Sequence, residues 1–486
     1  MINENDLINY VRESLRGHKI VVAIQREPFM HTAVPHSSDI KVEKAAGGAH
    51  VLLDGILRKT GGIMVSLASG NADHAVVDKK NRIKVPPDKK AYTLKRIFLD
   101  KEILDEFYNG FSNQSLWPLC HAVFVKPIFK KSWWEAYRMV NQKFADAILE
   151  EIDSKEAFIW VNDYQLALVP KMLKAANPKL KIGTFWHIPW PSYEIFRILP
   201  WKKEILEGLL GSDFIGFHRG YHVENFVECG RRELEIQTDF EPRSITYKNN
   251  ETKLSFLPAG IDYHDIKERL AKTTYDKSIF LKDFGIKSRY VFVGVDRIDY
   301  TKGIPERLAI IDRFLEKYPK YQGQFTYLSI GAPSRVKIPV YRQLNLEIEN
   351  KTKIINKKYG KDDWQPIYSV SKILPRKKIF SYYQASDGCI VTSLDDGMNL
   401  VAKEYAICAH PEKGSLILSK FTGAAKDLVS AILINPYDLE KSADSIKDAL
   451  LMDKEEKMKR NIQMARTIKE NNTYKWAIDF ITKTLE

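Results

Sequence analysis

Residues Arg289 to Gly303 read RYVFVGVDRIDYTKG, an apolar, β-branched and aromatic run that passes straight into charge. Such a run is expected to be a strand buried on both faces, here ending at Val295, of the kind found in parallel sheets covered by helices. The pattern recurs outward from it in QFTYLSIGA (from Gln324), GCIVTSL (from Gly388) and SLILSK (from Ser415). An earlier set has the same character: HKIVVAIQ (from His18), EAFIWVND (from Glu156), LKIGTFWHI (from Leu180) and SDFIGFH (from Ser212). Helical spacing lies between such runs, as in WWEAYRMVNQKFADAILEEI. Two sets of alternating strands and helices predict an α/β chain of two doubly wound domains. The seam is placed in FLPAGIDYHDI (Phe256 to Ile266), giving domains 1–258 and 259–464. The charged helical tail begins near Asp453, and its last part, about 465–486, is expected to complete the first domain. KKNRIKVPPDKK (Lys79 to Lys90) reads as an exposed loop.

The chain has 486 residues, enough for two large domains. Hydrophobic residues make up 44% and charged ones 28%, which sets aside disordered, collagen-like and coiled-coil classes. MINENDLINYVRESLRGHK is too charged for a secretory leader, and no apolar run approaches the ~18 residues of a membrane helix. The net charge of +13 suits anionic partners such as phosphorylated metabolites, nucleotides, nucleic acid or an anionic membrane surface, although a solvated lysine-rich surface reads the same. Cys120, Cys229, Cys389 and Cys408 form no CxxC pair, which argues against zinc ribbons and disulfide scaffolds and fits a reducing cytoplasm.

Open α/β sheets bind ligands beyond the carboxyl ends of their strands. Arg297 and Lys302 follow the first quoted strand within one loop, and two fixed cations there can straddle a diphosphate. A loop salt-bridged through Asp296 and Asp299 explains the same residues equally well. In LDDGMNLVAKEYAI a turn at Asp396 leads into a helix from Asn399, whose free N–H groups can face an anion while Glu404 accepts from a ribose diol. Asp396 could bind sugar hydroxyls, or simply cap the helix. Asp163 and His187 each end a strand of the first set; an ordinary cap and a core histidine are the plainer readings. Gly47 and Gly48 in KAAGGAH can bring backbone N–H groups to a phosphate or form a plain turn, and match neither GxGxxG nor a P-loop. Tyr108 and Trp117 in EFYNGFSNQSLWP could stack on a sugar or pack in a core. GxSxG, HExxH and EF-hand patterns are absent. These residues point to a nucleotide and a second phosphorylated molecule, and stop short of the reaction.

The same segments resemble a family. VDRIDYTKGIPER, APSRVKIPVY, LDDGMNLVAKEY, SKFTGAAKDL and INPYD, with FSNQSLWP and HIPWPSYEIFRILP, are similar in sequence and order to the retaining glycosyltransferases that make trehalose 6-phosphate from UDP-glucose and glucose 6-phosphate. The resemblance runs from about His18 to about Asp448 and implies the GT-B fold, two Rossmann-like domains facing across a cleft. It implies that Arg297 and Lys302 grip the donor diphosphate, with Gly48 and the backbone at Leu400 and Val401 completing that site. Glu404 would hold the ribose, and Asp396 and His187 would bind hydroxyls of the transferred glucose. Asp163 would face the reacting centre, while Arg26, Tyr108, Trp117 and Arg335 would form the acceptor pocket. Leu374 aligns with a backbone contact to the base. No metal or other cofactor is implied, nor a nucleic-acid or membrane partner; a homo-oligomer stays open. The tail is too short for the phosphatase domain of some relatives, so a separate phosphatase is expected downstream.

The chain departs from the family in places. HDYHL becomes NDYQL, with Asn162 and Gln165 replacing histidines, and a tryptophan common after the glycine loop becomes Met64. The stretch to about Asn109 diverges most, so a relative's acceptor, such as glycerol 3-phosphate, is an alternative. A catalytically silent sugar-phosphate sensor is a second, but it need not keep Arg297, Lys302 and Glu404 together. A nucleic-acid binder would interleave aromatics with its cations, and KKNRIKVPPDKK has none.

Overall fold

A computed structural model describes residues 2–45, 48–152, 156–240, 243–272, 276–361 and 363–486. The chain divides into two compact units, Met1–Ala259 with Thr473–Glu486, and Gly260–Asn472. The division falls inside FLPAGIDYHDI. The return to the first unit begins at Thr473, later than the sequence-based 465, because the helix Lys454–Glu470 packs within the second unit.

In the first unit, ten strands among the described residues form one sheet. Seven are parallel, in the spatial order Asn250–Phe256, Phe214–Phe217, Lys181–Phe185, Phe158–Asn162, Ile20–Arg26, Ile63–Leu67 and Tyr92–Ile97. All four strands read from the first set lie in this parallel core. Arg82–Val85 adds antiparallel to one edge, while Arg243–Tyr247 and Gln237–Phe240 add to the other. The segment Lys79 to Lys90 is therefore corrected from a loop to a turn-flanked edge strand. Its Val85 is buried while Lys84 is exposed, a two-residue alternation masked in the sequence by the surrounding charge. Met64 is fully buried in its strand.

The last helix, Thr473–Leu485, lies against this sheet. Phe480 stacks on Trp160 at 4.2 Å between ring centroids, and Trp476 packs on Trp160 and Phe185 at 5.2 and 5.0 Å. Tyr10 Oη and Thr482 Oγ1 are 2.6 Å apart, so the first helix, Glu4–Leu15, joins the last. Gly183 makes the approach possible: a Cβ there would stand 2.4 Å from Thr484 Oγ1 and 2.7 Å from Phe480. Gly183→Ala is expected to destabilise the protein by about 1–3 kcal/mol through overpacking. An unchanged urea midpoint would show that the helix yields freely.

Among its described residues the second unit holds a six-stranded, all-parallel sheet in the order Ile367–Val370, Phe325–Ala332, Tyr290–Arg297, Gly388–Val391, Ser415–Ser419 and Ile432–Ile434. The four strands of the second set are its centre. Helices cover both faces, over one core containing Val291, Val293, Leu328 and Leu416 and another containing Phe292, Ile390 and Ile417. Alternate residues of one strand thus enter opposite cores, which is why these runs carry no polar face. Among the described residues no helix is long and apolar enough to cross a membrane.

Candidate active site

The strand Tyr290–Arg297 runs two residues beyond Val295, so Arg297 is its last residue and not part of the loop. It neighbours Gly388–Val391, which places the loops after the two strands side by side. Leu394 N–H donates to Thr301 O at 2.7 Å, and Thr392 Oγ1 donates to Gly303 O at 2.8 Å. Lys302, mostly buried, donates from Nζ to Asp396 Oδ2 at 2.5 Å. Asn399 Nδ2 and Ser393 Oγ approach the same oxygen at 3.0 and 3.4 Å. Asn399 is the cap, φ 83°, of the helix Leu400–Cys408, its side chain accepting from Ala402 N–H at 2.9 Å. The helix thus begins one residue later than the sequence reading put it. Leu374, Leu400 and Val401 are half-buried against one shared core.

The aspartates of the first quoted stretch do make salt bridges, and their shortest ones go to partners the sequence did not suggest. Asp296 pairs with Arg307 at 2.7 Å, both buried, and Arg307 also donates to Tyr327 Oη and Thr392 Oγ1 at 2.8 and 2.9 Å. Gly294 leaves room for that guanidinium, since a Cβ would meet Arg307 Nη1 at 2.3 Å. Asp299 is fully buried and pairs with Arg335 at 2.9 Å, with Arg297 Nη2 at 3.8 Å. Burial opposes its ionisation, but Arg335, Arg297 and Lys302 outweigh it and hold the carboxyl below its usual range. The side chain of Arg335 is buried, on a backbone at φ 50°, and also donates to Tyr341 Oη at 2.5 Å. The side chain of Arg297 is 41% exposed, the more accessible of the two guanidiniums. Glu404 accepts from Arg376 Nη2 at 2.6 Å.

In the first unit, Arg26, Asp163 and His187 stand at the carboxyl ends of three successive strands. Asp163, at φ 71°, accepts His187 N–H on Oδ1 at 3.0 Å. Asn162, which replaces a family histidine, sends Nδ2 toward Ala23 O and Trp160 O, both at 3.3 Å, and turns Oδ1 toward His187 Nε2 at 3.2 Å. That orientation assigns the proton to Nε2 and leaves Nδ1 as an acceptor. Gln165 contributes its carbonyl to Asn141 Nδ2 at 3.0 Å. Tyr108 and Trp117 belong to a continuous helix with π-helical geometry over Asp105–Leu116, in which Trp117 N–H reaches back to Ser112 O. Asn113 links Tyr108 O to Tyr164 Oη at 2.7 and 2.8 Å, and the rings of Trp117 and Tyr164 are 5.7 Å apart. These residues therefore form one neighbourhood beside Asp163. Trp117 is only 6% exposed, so most of its ring serves packing. Gly48 caps the helix Ala49–Thr60 with φ 84°; Gly47 lies outside the described residues.

Sequence reasoning missed a buried charge network beside Arg26. Arg96, fully buried, bridges Glu27 at 2.8 Å and Asp73 at 2.9 Å, and Glu27 accepts from Ser69 N–H and Oγ at 2.8 and 2.7 Å. Asp73 accepts from Gly70 N–H at 2.7 Å and His31 N–H at 2.9 Å. Burial pushes Glu27 up to about 7 despite Arg96, whereas Asp73 is held low by its hydrogen bonds and by Arg96 against burial. Only the partners, far apart in sequence, would have disclosed it.

Burial pushes His187 down to about 3, and burial with Arg219 and His121 does the same to His222. Both rings stay neutral in the folded chain at pH 5, while unfolded histidines charge near pH 6.5. The unfolded state then holds more protons between about pH 6.5 and 3, so these groups withdraw stability as pH falls through that window. Comparison of wild type with His222→Phe at pH 7 and pH 5 should shift in favour of the variant at pH 5; an unchanged difference would place the charge elsewhere.

The family model described as Glycosyltransferase family 20 matches residues 17–486. The alpha,alpha-trehalose-phosphate synthase [UDP-forming] A of Dictyostelium discoideum is 36% identical over 392 residues, 81% of this chain, which spans about half (53%) of that relative's length. The trehalose-6-phosphate synthase of Mycolicibacterium vanbaalenii is 35% identical over 474 residues, 96% of this chain and 95% of the relative. Among solved structures, the E. coli protein bound with UDP-2-fluoro glucose superposes with a TM-score of 0.85 at 32% identity, over 96% of this chain and 99% of that one. The alpha,alpha-trehalose-phosphate synthase (UDP-forming) of Burkholderia xenovorans in complex with glucose-6-phosphate also gives 0.85, at 28% identity, over 96% and 100%.

Proposed function

We propose, because this chain belongs to glycosyltransferase family 20, that it moves glucose with retention from UDP-glucose to glucose 6-phosphate, giving trehalose 6-phosphate and UDP. The observation that carries the reading is the cluster behind two neighbouring parallel strands, where Arg297, Lys302, Asp396, Asn399 and the helix from Leu400 converge. Relatives named for this reaction, matched over nearly the whole chain, support it.

In this reading Arg297 and Lys302 grip the diphosphate and stabilise the charge that grows as it leaves. Glu404 takes the ribose, Leu374 the base through its backbone, and Asp396 and His187 the glucose hydroxyls. Gly48 and the N–H groups at Leu400 and Val401 complete the donor site. Arg26, Tyr108, Trp117, Asp163 and Arg335 serve the acceptor. No carboxylate pair of the kind used by retaining glycosidases stands out among the matched motifs, so attack comes from the leaving-group face. The bond from the anomeric carbon to the diphosphate oxygen breaks as the bond to the acceptor hydroxyl forms. The acceptor's proton passes to the departing phosphate oxygen. The fixed cations supply the electrostatics, so the reading calls for no metal and no other cofactor. A separate phosphatase would then remove the phosphate. The four described cysteines are free and buried, which suits work in a reducing cytoplasm.

The test is nucleotide release across a matrix of UDP-, ADP- and GDP-glucose against glucose 6-phosphate and glycerol 3-phosphate, with product masses and with EDTA in half the wells. Release with UDP-glucose and glucose 6-phosphate, a disaccharide-phosphate mass and indifference to EDTA are expected. Turnover confined to another acceptor would replace the substrate assignment, and loss of turnover in EDTA would end the metal-free scheme.

A further inference from the structure

Arg376 opens the helix Arg376–Ala385, and Glu404 lies in the neighbouring helix Leu400–Cys408. The guanidinium donates from Nη2 to Oε1 of Glu404 at 2.6 Å, and no other group among the described residues hydrogen-bonds to that carboxylate. The guanidinium carbon also lies 5.1 Å from the centroid of Phe380, a core ring that backs it as a fixed surface. Arg376 is therefore held from two sides.

The tie does not hold the helices together. Tyr383 and Tyr405 meet edge to face at 5.6 Å, and Phe380, Ala402 and Ala406 share one buried core. The side chain of Arg376 is 37% exposed, and an ion pair open to water to that degree adds little to stability. Lys403, the residue before Glu404, shows the contrast: it is 2% exposed and pairs with Asp427 at 2.8 Å, as a structural anchor does. A rigid, solvent-reachable cation on a single carboxylate oxygen instead fixes the direction of the other oxygen.

We propose that Arg376 is a positioning residue for the nucleotide: by holding Glu404 through Oε1 it fixes Oε2 as the acceptor for the ribose hydroxyls. The inference rests on the reading of Glu404 as the ribose ligand. It makes Arg376, which resembles an ordinary helix-opening cation in sequence, a determinant of sugar recognition in the donor.

The experiment titrates UDP and 2′,3′-dideoxy-UDP into the full chain and into Glu404→Gln, Arg376→Met and Arg376→Lys, with thermal melts to verify folding. Hydrogen bonds to a held carboxylate predict that wild type prefers UDP by about 10- to 100-fold. Glu404→Gln should collapse that preference. Arg376→Met should shrink it to within about threefold, and Arg376→Lys should restore part of it, since a point charge holds the carboxylate less firmly than a fork. Steady-state rates should show a raised KM for UDP-glucose with little change in kcat. A full preference in Arg376→Met alongside its loss in Glu404→Gln overturns the proposal and leaves the ribose reading standing. Tighter UDP binding in Arg376→Met overturns it too, because the arginine would then compete with the ribose. If wild type binds both nucleotides equally, the ribose reading falls, and the proposal with it.

Discussion

Lys302→Ala and Arg297→Ala are each expected to lower kcat by on the order of 10²–10³, with a smaller effect on the KM for glucose 6-phosphate. The magnitude is that of removing one fixed donor from a charge that develops only in the transition state, roughly 2.7–4 kcal/mol. The two positions should differ in detail. Lys302 is paired with Asp396 at 2.5 Å, so its loss also takes from that carboxylate a cation that compensates it. A carboxylate less well compensated repels the diphosphate, and Lys302→Ala should therefore weaken UDP-glucose binding more than Arg297→Ala does. Asp396→Asn in the Lys302→Ala background should recover part of the binding and little of the rate. Steady-state kinetics with UDP-glucose varied at saturating acceptor would decide the matter. Near-normal turnover in both single variants would remove the clamp from the mechanism.

Arg96→Met should cost about 3–5 kcal/mol of stability, because it strands Glu27 and Asp73 without their shared cation in the interior. The sign of its pH dependence follows from Glu27. Its folded pKa, about 7, lies above the ordinary value of 4.5, so its contribution is fully present below pH 4.5 and is lost as pH rises through 7. Without Arg96 the carboxyl is pushed further up, and the variant should be worse at pH 8 than at pH 6. Urea unfolding at the two pH values measures this. A uniform, small loss would mean that water reaches the network. Adding Glu27→Gln and Asp73→Asn to Arg96→Met should return much of the stability, since no unpaired charge then remains buried.

The strands that build both sheet centres were legible because strands covered on two faces must be apolar throughout, as in Tyr290–Arg297 and Phe325–Ala332. Edge strands such as Arg82–Val85 were not, because one open side lets lysines stand among the buried residues. The positions of Lys302, Asp163 and His187 behind strands followed from the same pattern, while Arg297 proved to be the last residue of its strand. Their partners did not. Lys302 meets Asp396 across 94 residues and Glu27 meets Arg96 across 69, distances set by sheet order and invisible to any local period. Trp117, quoted as a candidate stacking ring, proved mostly enclosed; an aromatic residue looks alike in sequence whether its face or its edge is covered.

The helix Thr473–Leu485 belongs to the unit that begins at Met1. During synthesis on the ribosome the chain therefore emerges with its first-made sheet unfinished. The rings of Trp160, Phe185 and Phe214 wait for Trp476 and Phe480 until the whole of the second unit has been translated. At about 5–20 residues per second, the 213 residues from 260 to 472 hold that surface bare for about 10–40 seconds, while the other unit can fold as a self-contained insert. The interval is when the nascent protein most needs a chaperone, and slowing translation over that insert should raise the share of chains that aggregate.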